Sequence, residues 1–364
     1  MSDHFFPVFD FSKPDHPEID IEPSSVEVTV NVTTKDPEIP FVNANNLVPE
    51  YVKDWDSYVG QAPLKRQLRV HIESAIARDE VLDHILLGSG VPGVGKTTIA
   101  RLIAKEIEAD LTMLVPPFSQ QTLYDACLQM KARDVLFIDE IHKLADGGPR
   151  AAENLLHMLD ERTLYLDDGV HHLEEFTVIG ATTDKDKLPE TVVDRFPIQP
   201  FFQPYSPEEL VRITKNFADY FEIGLLPETM VAIARACRGT PRVARQLVMG
   251  ARDLQAMSGQ YCTPAELLEF KETEPDGMTR QHRAYIMAMY QFFGRQGKDG
   301  YEYVAGEASM MSLLRENKQG IARLERFLIE SGLVDRTPRG RCLTPKGVHK
   351  ARYYLDNETR LATG

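Results

Sequence analysis

The stretch that decides the fold is GSGVPGVGKTT, at residues 88–98. It follows a short apolar segment, HILL at 84–87, and precedes a segment of helical periodicity, IARLIAKEI at 99–107. Glycines at this spacing let successive backbone N–H groups curl around a phosphate at the N-terminus of a helix. A strand, a glycine-rich loop and a helix in this order therefore predict a phosphate-binding loop in an α/β domain.

Residues 90–97 of this loop match the spacing G-x-x-x-x-G-K-[ST]. Lys96 is expected to reach the β- and γ-phosphates of a nucleotide, and the Thr97 hydroxyl is expected to ligate Mg²⁺. A glycine-rich turn that happens to precede Lys and Thr is the alternative, and the flanking strand and helix disfavour it. The loop residues predicted to bind the nucleotide are Gly90, Gly93, Gly95, Lys96, Thr97 and Thr98.

A phosphate loop of this kind needs a carboxylate on a neighbouring strand, and DVLFIDEIH at 134–142 supplies one. Asp139 would hold the Mg²⁺ shell together with Thr97, and Glu140 would orient and polarise the attacking water. Two solvated acids at the end of a strand are the alternative interpretation. Because the phosphate loop lies in the same predicted domain, the catalytic interpretation is favoured.

Two further polar positions fit the same chemistry. VIGATT at 178–183 places Thr183, with Thr182 beside it, at the end of a strand where a hydroxyl can read the γ-phosphate and position the water. Arg195 follows Asp194 and fits an arginine finger that reaches the γ-phosphate on a neighbouring subunit. A structural salt bridge between Arg195 and Asp194 or another acid is the alternative.

The segment RGTPRVARQL at 238–247 adds a third candidate. Arg242 lies at the start of a predicted helix, from which its guanidinium could reach the nucleotide bound to the same subunit. Arg238 and Arg245 are expected to be solvated helix charges.

Four apolar segments alternate with helical ones between residues 46 and 205. The strand candidates are HILL (84–87), LTMLV (111–115), DVLFID (134–139) and FTVIGATT (176–183). Strands that alternate with helices are typical of a parallel sheet covered by helices. The fold class is therefore predicted as α/β, with a P-loop parallel-sheet ATPase domain at 46–205.

Two smaller units are predicted beyond this domain. Residues 206–272 contain three amphipathic helices and no strand signal, which indicates a small all-helical lid domain whose first helix opens with Ser206 as its cap. Residues 273–355 read as three helices followed by a hairpin around a Pro-Arg-Gly turn, which is a winged-helix pattern. Residues 356–364 are expected to form a short tail.

Charge is unevenly distributed along the 364 residues, whose formal net charge is -14. Residues 1–50 hold ten Asp or Glu and two Lys, and the first 45 of them are expected to be a mostly disordered acidic tail, although VEVTVNV at 26–32 could add an edge strand. Residues 336–352 hold six Arg or Lys and no acid, so a local basic patch could dock on a polyanion. The residues predicted to contact DNA are Arg336, Arg339, Arg341 and Lys346; a merely solvated basic hairpin is the alternative.

Composition argues against several other classes of protein. The sequence has no long apolar run and no signal peptide at its N-terminus, so we expect a soluble, cytoplasmic protein. The four cysteines form no C-x-x-C pair and lack metal-ligand spacing, which predicts reduced thiols without a zinc role.

The order of these motifs resembles that of the AAA+ ATPases, and more narrowly that of the RuvB-type Holliday junction branch-migration motors, over about residues 55–350. The segments that carry the resemblance are YVGQ (58–61), DHILL (83–87), DVLFIDEIHKL (134–144), IGATT (179–183), DRF (194–196), RGTPRVARQL (238–247) and SGLVDRTPRGR (331–341). The last of these is the most particular to that family.

The resemblance assigns roles to individual residues. It implies that Lys96 and Thr97 belong to Walker A, Asp139 and Glu140 to Walker B, and Thr183 to sensor 1. It also implies that Arg195 is the finger that acts in trans and that Arg242 is sensor 2. Tyr58 and Val59 would border the adenine pocket.

The resemblance also implies ATP and Mg²⁺ as cofactors and a homohexameric ring. The implied function is an ATP-driven motor, a branch-migration helicase, that acts on duplex DNA or four-way junctions with little sequence specificity in recombination and repair. A DNA-bound loader or initiator-like switch, which assembles on DNA with ATP without translocating, is the alternative. A protein-remodelling ring is disfavoured, because no clear aromatic pore loop occurs between residues 140 and 175.

Three features depart from the family pattern. The acidic N-terminal tail has no counterpart in its compact members. Val192 and Val193 stand where the family has Leu-Arg, which leaves only Arg195 to act across an interface. The segment at 164–176 is shorter than the family's hairpin for the partner RuvA, with Asp168-Gly169 as its predicted turn and about three residues per arm. This shortening disfavours docking of a RuvA-like partner by the usual route; the adjacent His171 and His172 would face opposite sides.

Overall fold

The computed structural model describes residues 42–43, 51–145, 149–297 and 300–363. Over those ranges, no helix combines the length and the apolar character that a membrane span requires. The expected acidic tail at 1–45, including the possible edge strand at 26–32, lies outside the described residues apart from Val42 and Asn43. These two residues form a short strand, and the expectation for the rest of the tail stays a prediction.

The first domain is built on a five-stranded sheet. The strands of this domain, in chain order, are β1 (Val42–Asn43), β2 (Ile85–Gly88), β3 (Leu111–Leu114), β4 (Val135–Ile138), β5 (Thr163–Leu166), β6 (Gly169–His172) and β7 (Thr177–Thr182). The sheet order is β1-β3-β4-β7-β2, in which β1 is antiparallel and the other four strands are parallel. The four predicted strands are thus present as a parallel sheet.

Helices cover both faces of this sheet. They are α1 (Ala62–Arg78), α2 (Lys96–Glu106), α3 (Gln120–Gln129), α4 (His142–Ala145), α5 (Pro149–Asp160) and α6 (Glu190–Val193). Because side chains alternate along a strand, Ile85 and Leu87 pack into the core with α1 and α2, whereas Leu86 packs into the core with α3 and α5. Every residue of β4 and β7 is buried, which explains their continuous apolar sequences.

The sheet order brings the chemical motifs together. The glycine-rich loop leaves β2, the acid pair follows β4, and the two threonines end β7. Strand β7 lies between β4 and β2, and Gly88 pairs with Thr182. In open parallel sheets, ligands bind outside the carboxyl ends of such strands. The phosphate loop, the acid pair and the two threonines therefore share one edge of the sheet.

Strands β5 and β6 form a separate short hairpin. Four pairs connect them, from Thr163 with His172 to Leu166 with Gly169. Only Asp167 and Asp168 remain to span the turn, so the predicted Asp168-Gly169 turn is wrong by one residue and each arm has four residues rather than about three.

The histidines of this hairpin have different partners. The ring of His171 lies 2.9 Å from an oxygen of Asp168, whereas the ring of His172 lies 3.4 Å from the Thr163 hydroxyl. Among the described residues, no group of three or more His, Cys, Asp or Glu side chains could hold a metal ion.

The lid is all-helical, as predicted, and contains α7 (Pro207–Tyr220), α8 (Pro227–Ala236), α9 (Pro241–Ser258) and α10 (Pro264–Phe270). Ser206 caps α7: its hydroxyl accepts the Glu209 N–H at 3.2 Å, and Glu209 accepts the Ser206 N–H at 2.7 Å. The fourth helix is an addition to the three predicted ones. Its capping box, Thr263 with Glu266, is visible in the sequence as T-P-A-E.

The last domain contains α11 (Arg280–Phe292), β8 (Gly294–Gly297), β9 (Gly300–Ala305), α12 (Glu307–Leu314), α13 (Lys318–Glu330), β10 (Val334–Thr337), β11 (Gly340–Leu343) and α14 (Pro345–Thr363). Three helices and the hairpin β10–β11 are as predicted. The hairpin β8–β9 is an addition, and it extends the wing to a sheet of order β10-β11-β9-β8. The expectation of a tail at 356–364 is wrong through Thr363, because no glycine or proline interrupts α14 after Gly347.

The added hairpin explains a glycine at the wing turn. Gly340 has a φ of 127°, and a Cβ there would lie 2.5 Å from the carbonyl oxygen of Ala305. β9 approaches β11 at this point, where Arg341 pairs with Ala305. Only glycine permits this close approach.

Candidate nucleotide-binding site

The phosphate loop is packed between two other parts of the chain. Gly93 and Gly95 have φ values of 80° and 110°, which glycine adopts without strain. A Cβ on Gly95 would lie 2.7 Å from the Tyr58 hydroxyl, and a Cβ on Gly93 would lie 2.7 Å from the Cβ of Arg242. Both glycines are therefore required by their backbone conformation and by their neighbours.

Lys96 is a buried cation at the first turn of α2. Its side chain is 8% exposed, and its Nζ contacts the Ser89 hydroxyl at 3.5 Å, the long limit for a hydrogen bond. Burial lowers the pKa of Lys96, whereas the carboxylates of Glu140 and Asp139 raise it. A buried ammonium with so weak a hydrogen bond fits a site that receives phosphate oxygens.

Asp139 lies at the carboxyl end of β4, where one of its side-chain oxygens accepts the Glu140 N–H at 3.0 Å. Burial and the negative charge of Glu140 raise the pKa of Asp139, whereas Lys96 lowers it. A divalent cation would favour the ionised carboxylate. Together with the Thr97 hydroxyl, Asp139 offers the hard oxygen ligands that Mg²⁺ prefers.

The carboxylate of Glu140 is held by the end of β7. Thr183 donates its hydroxyl to Oε2 of Glu140 at 3.0 Å. Glu140 also has a φ of 49°, an uncommon backbone conformation for a residue other than glycine and one that concentrates at functional sites. The predicted catalytic glutamate and sensor threonine therefore contact each other directly.

Sequence reasoning missed a buried histidine next to this pair. Nδ1 of His142 lies 2.9 Å from the Thr182 hydroxyl and 3.3 Å from Oε2 of Glu140. His142 is 5% exposed, and Thr182 is fully buried. Its only sequence signal is its place in DEIH, because Thr182 is 40 positions away and reaches it through the sheet.

A narrow apolar cleft lies beside the phosphate loop. Its walls include Tyr51, Val52, Tyr58, Val59, Gly95, Thr98, Tyr205, Phe217 and Pro241. The hydroxyls of Tyr58 and Tyr205 lie 3.2 Å apart, and both contact the Val94 carbonyl oxygen. Burial raises the pKa of both tyrosines. Aromatic and aliphatic walls of this kind suit a purine base, and the role of Tyr58 and Val59 at the adenine stays a prediction.

The lid contacts the phosphate loop through Arg242. Its backbone N–H donates to the Gly93 carbonyl at 3.4 Å, and its side chain is exposed. The expectation that Arg238 and Arg245 are solvated charges is wrong. The Arg238 guanidinium lies 5.5 Å from the centre of the Phe327 ring of α13, and Arg245 lies 5.4 Å from that of Phe221. Both guanidinium groups lie over aromatic rings, that of Arg238 from the loop between α8 and α9 and that of Arg245 from α9.

Arg195 pairs with an acid in its own subunit. Its Nε lies 2.8 Å and 3.0 Å from the two carboxylate oxygens of Asp160 at the end of α5. The guanidinium also donates to the Thr191 carbonyl at 3.3 Å. The side chain of Arg195 is 36% exposed, so it remains at the surface. Sequence reasoning missed Asp160, which lies 35 positions away.

The four residues predicted to contact DNA, three in the wing and Lys346 at the start of α14, are not equally accessible. Arg339 is 65% exposed and pairs with Glu302, and Lys346 donates to the Ser331 carbonyl at 2.8 Å from an exposed position. Arg336 is 57% exposed and pairs with Glu325. Arg341 is 15% exposed and pairs with Glu307 and Glu325, each at 2.8 Å.

Models of three protein families match the chain in order. They are described as the RuvB P-loop domain of the Holliday junction DNA helicase (residues 49–201), the RuvB AAA lid domain (205–268) and the RuvB C-terminal winged helix domain (275–351). The Holliday junction branch migration complex subunit RuvB of Lactobacillus johnsonii is 34% identical over 313 residues, which is 81% of this chain and 88% of that protein. The chain belongs to the RuvB family.

Other RuvB proteins give the same result. The subunit of Streptococcus uberis is 32% identical and covers 86% of this chain and 94% of its own length. The solved structure of the Thermotoga maritima RuvB Holliday junction branch migration motor matches with a TM-score of 0.72 at 28% identity, over 85% of this chain and 99% of that chain.

RuvB membership confirms the resemblance and the fold class predicted from the sequence: an AAA+ P-loop domain, a helical lid and a winged helix. It also confirms that the chain is an AAA+ ATPase. The roles of individual site residues stay predictions, and the geometry above is what supports them.

Proposed function

We propose that this RuvB-family protein is an ATP-driven motor that moves duplex DNA at Holliday junctions and so promotes branch migration in recombination and repair. One observation carries the proposal. The phosphate loop, the lid and the winged-helix domain follow one another in one chain and contact one another in that order. Gly93 of the loop contacts Arg242 of the lid, and four residues before Arg242 the side chain of Arg238 contacts Phe327 of α13.

Each residue of the site would have its own role in ATP hydrolysis. Lys96 and the loop N–H groups would bind the β- and γ-phosphates, and Thr97 with Asp139 would hold Mg²⁺. When bound, Mg²⁺-ATP supplies the reactive γ-phosphoryl group and neutralises charge at the oxygens. Glu140 accepts a proton from the attacking water, and Thr183 holds the carboxylate for that task.

Arg195 supports a ring. Its partly exposed guanidinium lies on the surface, from which it would stabilise the transition state on a neighbouring subunit. Head-to-tail contacts of this kind close into a ring, and we propose a homohexamer. Arg242 would act on the nucleotide bound to its own subunit.

The winged helix supplies the DNA contact. Arg336, Arg339 and Lys346 have exposed side chains at the wing, where they would bind phosphates without sequence choice.

The short β5–β6 hairpin presents Tyr165 and Val170 as a cross-strand pair, 47% and 57% exposed, which is a small apolar surface for a RuvA-like partner.

A fluorescent four-way junction tests the proposal. The protein should convert it into duplex products in the presence of ATP and Mg²⁺, with or without an added RuvA-type protein, and Lys96→Ala should not. The readout is resolution of the labelled strands on a native gel. Absence of strand movement in every condition would contradict the motor.

A DNA-bound loader or initiator-like switch is the second candidate. Two features favour it. The short β5–β6 hairpin offers a partner little surface, and the pairing of wing arginines with glutamates weakens their contacts with DNA phosphates. Strong ATP hydrolysis on junction DNA without strand movement would identify this function instead.

A further inference from the structure

We propose that His142 is a positioning residue for ATP hydrolysis, which fixes the Glu140 carboxylate by sharing its Nδ1 between Glu140 and the buried Thr182. The proposal deepens the hydrolysis part of the proposed function and does not depend on DNA movement. It concerns a residue that touches neither phosphate nor metal in the assignments above.

The proposal requires one direction for the contacts of Nδ1. A carboxylate can only accept, so Nδ1 at 3.3 Å from Oε2 of Glu140 stabilises it only as an N–H donor. The Thr182 hydroxyl oxygen already accepts the Asp184 N–H at 3.0 Å and has a second lone pair for Nδ1 at 2.9 Å. As part of this proposal we assign the proton to Nδ1, which then donates toward the oxygens of Glu140 and Thr182.

Thr182 connects this network to the phosphate loop. It lies in the last position of β7, where it pairs with Gly88, and its carbonyl accepts the Ser89 N–H at 3.1 Å. A shift at the start of the loop is thus transmitted through Thr182 to the imidazole, and from there to Glu140. The imidazole is 5% exposed, so water does not replace these contacts.

The arrangement defines what His142 does to the carboxylate. Thr183 and His142 both contact Oε2, and the backbone of Glu140 is fixed in a left-handed conformation. In the proposed arrangement Oε1 is the oxygen left to accept the proton of the attacking water. Without the imidazole, the carboxylate keeps only the Thr183 hydroxyl and samples other rotamers, so fewer encounters are productive.

Four variants test the inference by ATP turnover on four-way junction DNA. His142→Ala should lower kcat about 10- to 100-fold, because it removes one donor to a charged group, with KM changed less than about twofold. His142→Asn places a side-chain N–H near the Nδ1 position and should restore most of the rate. Thr182→Val should lower kcat less, and the double variant His142→Ala with Thr182→Val should be no slower than His142→Ala.

Thr177→Val is the matched control. Thr177 is another fully buried threonine of β7, at the opposite end of the strand, and its hydroxyl donates to the Leu82 carbonyl at 2.6 Å. Its loss should lower the melting temperature about as much as Thr182→Val but leave kcat unchanged. Binding of a fluorescent ATP analogue should be the same for all of these proteins.

Three results would overturn the inference: a normal kcat for His142→Ala, no rescue by His142→Asn, or an equal loss of kcat in Thr177→Val. A wild-type protein without ATP turnover would instead contradict the proposed function itself. The two failures are therefore distinguishable in one experiment.

Discussion

Glu325 and Arg341 form an ion pair inside the winged-helix domain, with Oε1 of Glu325 2.8 Å from Nε of Arg341. Glu325 has no exposed surface, and it also accepts hydrogen bonds from Arg336 at 2.8 Å and from the Tyr285 hydroxyl at 2.8 Å. Burial raises the pKa of Glu325, but the hydrogen bonds from the two arginines and the tyrosine outweigh it and bring the pKa below its usual 4.5. Arg336 and Arg341, which the sequence predicts as DNA contacts, thus hold the wing against α13.

We therefore expect the wing to loosen in acid. A carboxyl whose pKa is lowered by folding contributes stability above its usual pKa and loses it as pH falls through the folded value. Amide exchange in α13 and β10–β11, corrected for intrinsic rates, should accelerate as pH falls below 4.5. In Glu325→Gln the free energy of unfolding of this domain should already be lower at pH 7 by about 3 kcal/mol, because the arginines lose their shared carboxylate.

Glu302→Gln is the control for that measurement. Glu302 pairs with Arg339, which is 65% exposed, so its loss should cost less than about 1 kcal/mol. Equal exchange in Glu325→Gln and in Glu302→Gln would contradict a structural role for the buried pair.

Removal of the Lys96 ammonium should abolish nucleotide binding or turnover. Lys96→Ala takes away the buried cation that faces the phosphates, and we expect a loss of at least 100-fold in kcat/KM for ATP. Phosphate release and binding of a fluorescent ATP analogue measure the two effects. Lys105→Ala, in the last turn of the same helix, is the control, because Lys105 is exposed and contacts only the Lys53 carbonyl among the hydrogen bonds described. Normal turnover by Lys96→Ala would remove the phosphate-loop assignment.

Arg195→Ala should still bind ATP but should lose hydrolysis by about 10³-fold, because the finger stabilises the transition state rather than the bound nucleotide. Mixing it with Lys96→Ala subunits, which supply an intact Arg195, should restore turnover at the mixed interfaces. Phosphate release as a function of mixing ratio is the measurement.

Asp160→Asn separates this role from a structural one. It removes the acid partner of Arg195 and keeps the guanidinium. If Arg195 acts in trans, Asp160→Asn should retain most of the hydrolysis. If Asp160→Asn is as inactive as Arg195→Ala and mixing gives no rescue, Arg195 supports hydrolysis through its ion pair with Asp160 and not by acting on a neighbouring subunit.

The wing arginines should differ in their effect on DNA binding. Arg339→Ala should weaken binding and reduce the slope of log K against log salt by about 0.9, the contribution of one phosphate contact. The side chain of Arg341 is only 15% exposed, so Arg341→Ala should affect DNA binding mainly by destabilising the domain. Fluorescence anisotropy at several salt concentrations tests both, with the exposed Arg69→Ala of α1 as a control. An unchanged slope for Arg339→Ala would count against the wing as the DNA contact.

The sequence predicted best those features whose signals are local. The phosphate loop, the acid pair and the Ser206 cap are each written within a few residues, and the structure has them as expected. The phosphate loop and the acid pair come together because the order of the strands places the ends of β2 and β4 on either side of β7.

What the sequence could not predict depends on distant partners. The β8–β9 hairpin is stabilised by pairing with β11, about 40 residues further on. Its first strand, GRQG, has no strand signal, whereas the alternating YEYVA at 301–305 has one that was overlooked. The contacts of His142, Asp160 and Glu325 likewise join residues that meet only after the sheet and the wing have folded. The turn of β5–β6 was misplaced because neighbouring two-residue turns differ by a single step of register.

The four-stranded wing has a mechanical consequence. A hairpin of two strands is marginally stable alone and bends when its tip is pushed. Here β9 braces β11, and Tyr303 of β9 stacks on Tyr290 of α11 with ring centres 4.7 Å apart. If α11 moves in the proposed motor, this bracing would carry the movement to the tip at Pro338 and Arg339 with little bending of the hairpin. In the proposed motor, the stiffness of the wing would set how much of each step reaches the DNA and how much is lost in bending the protein.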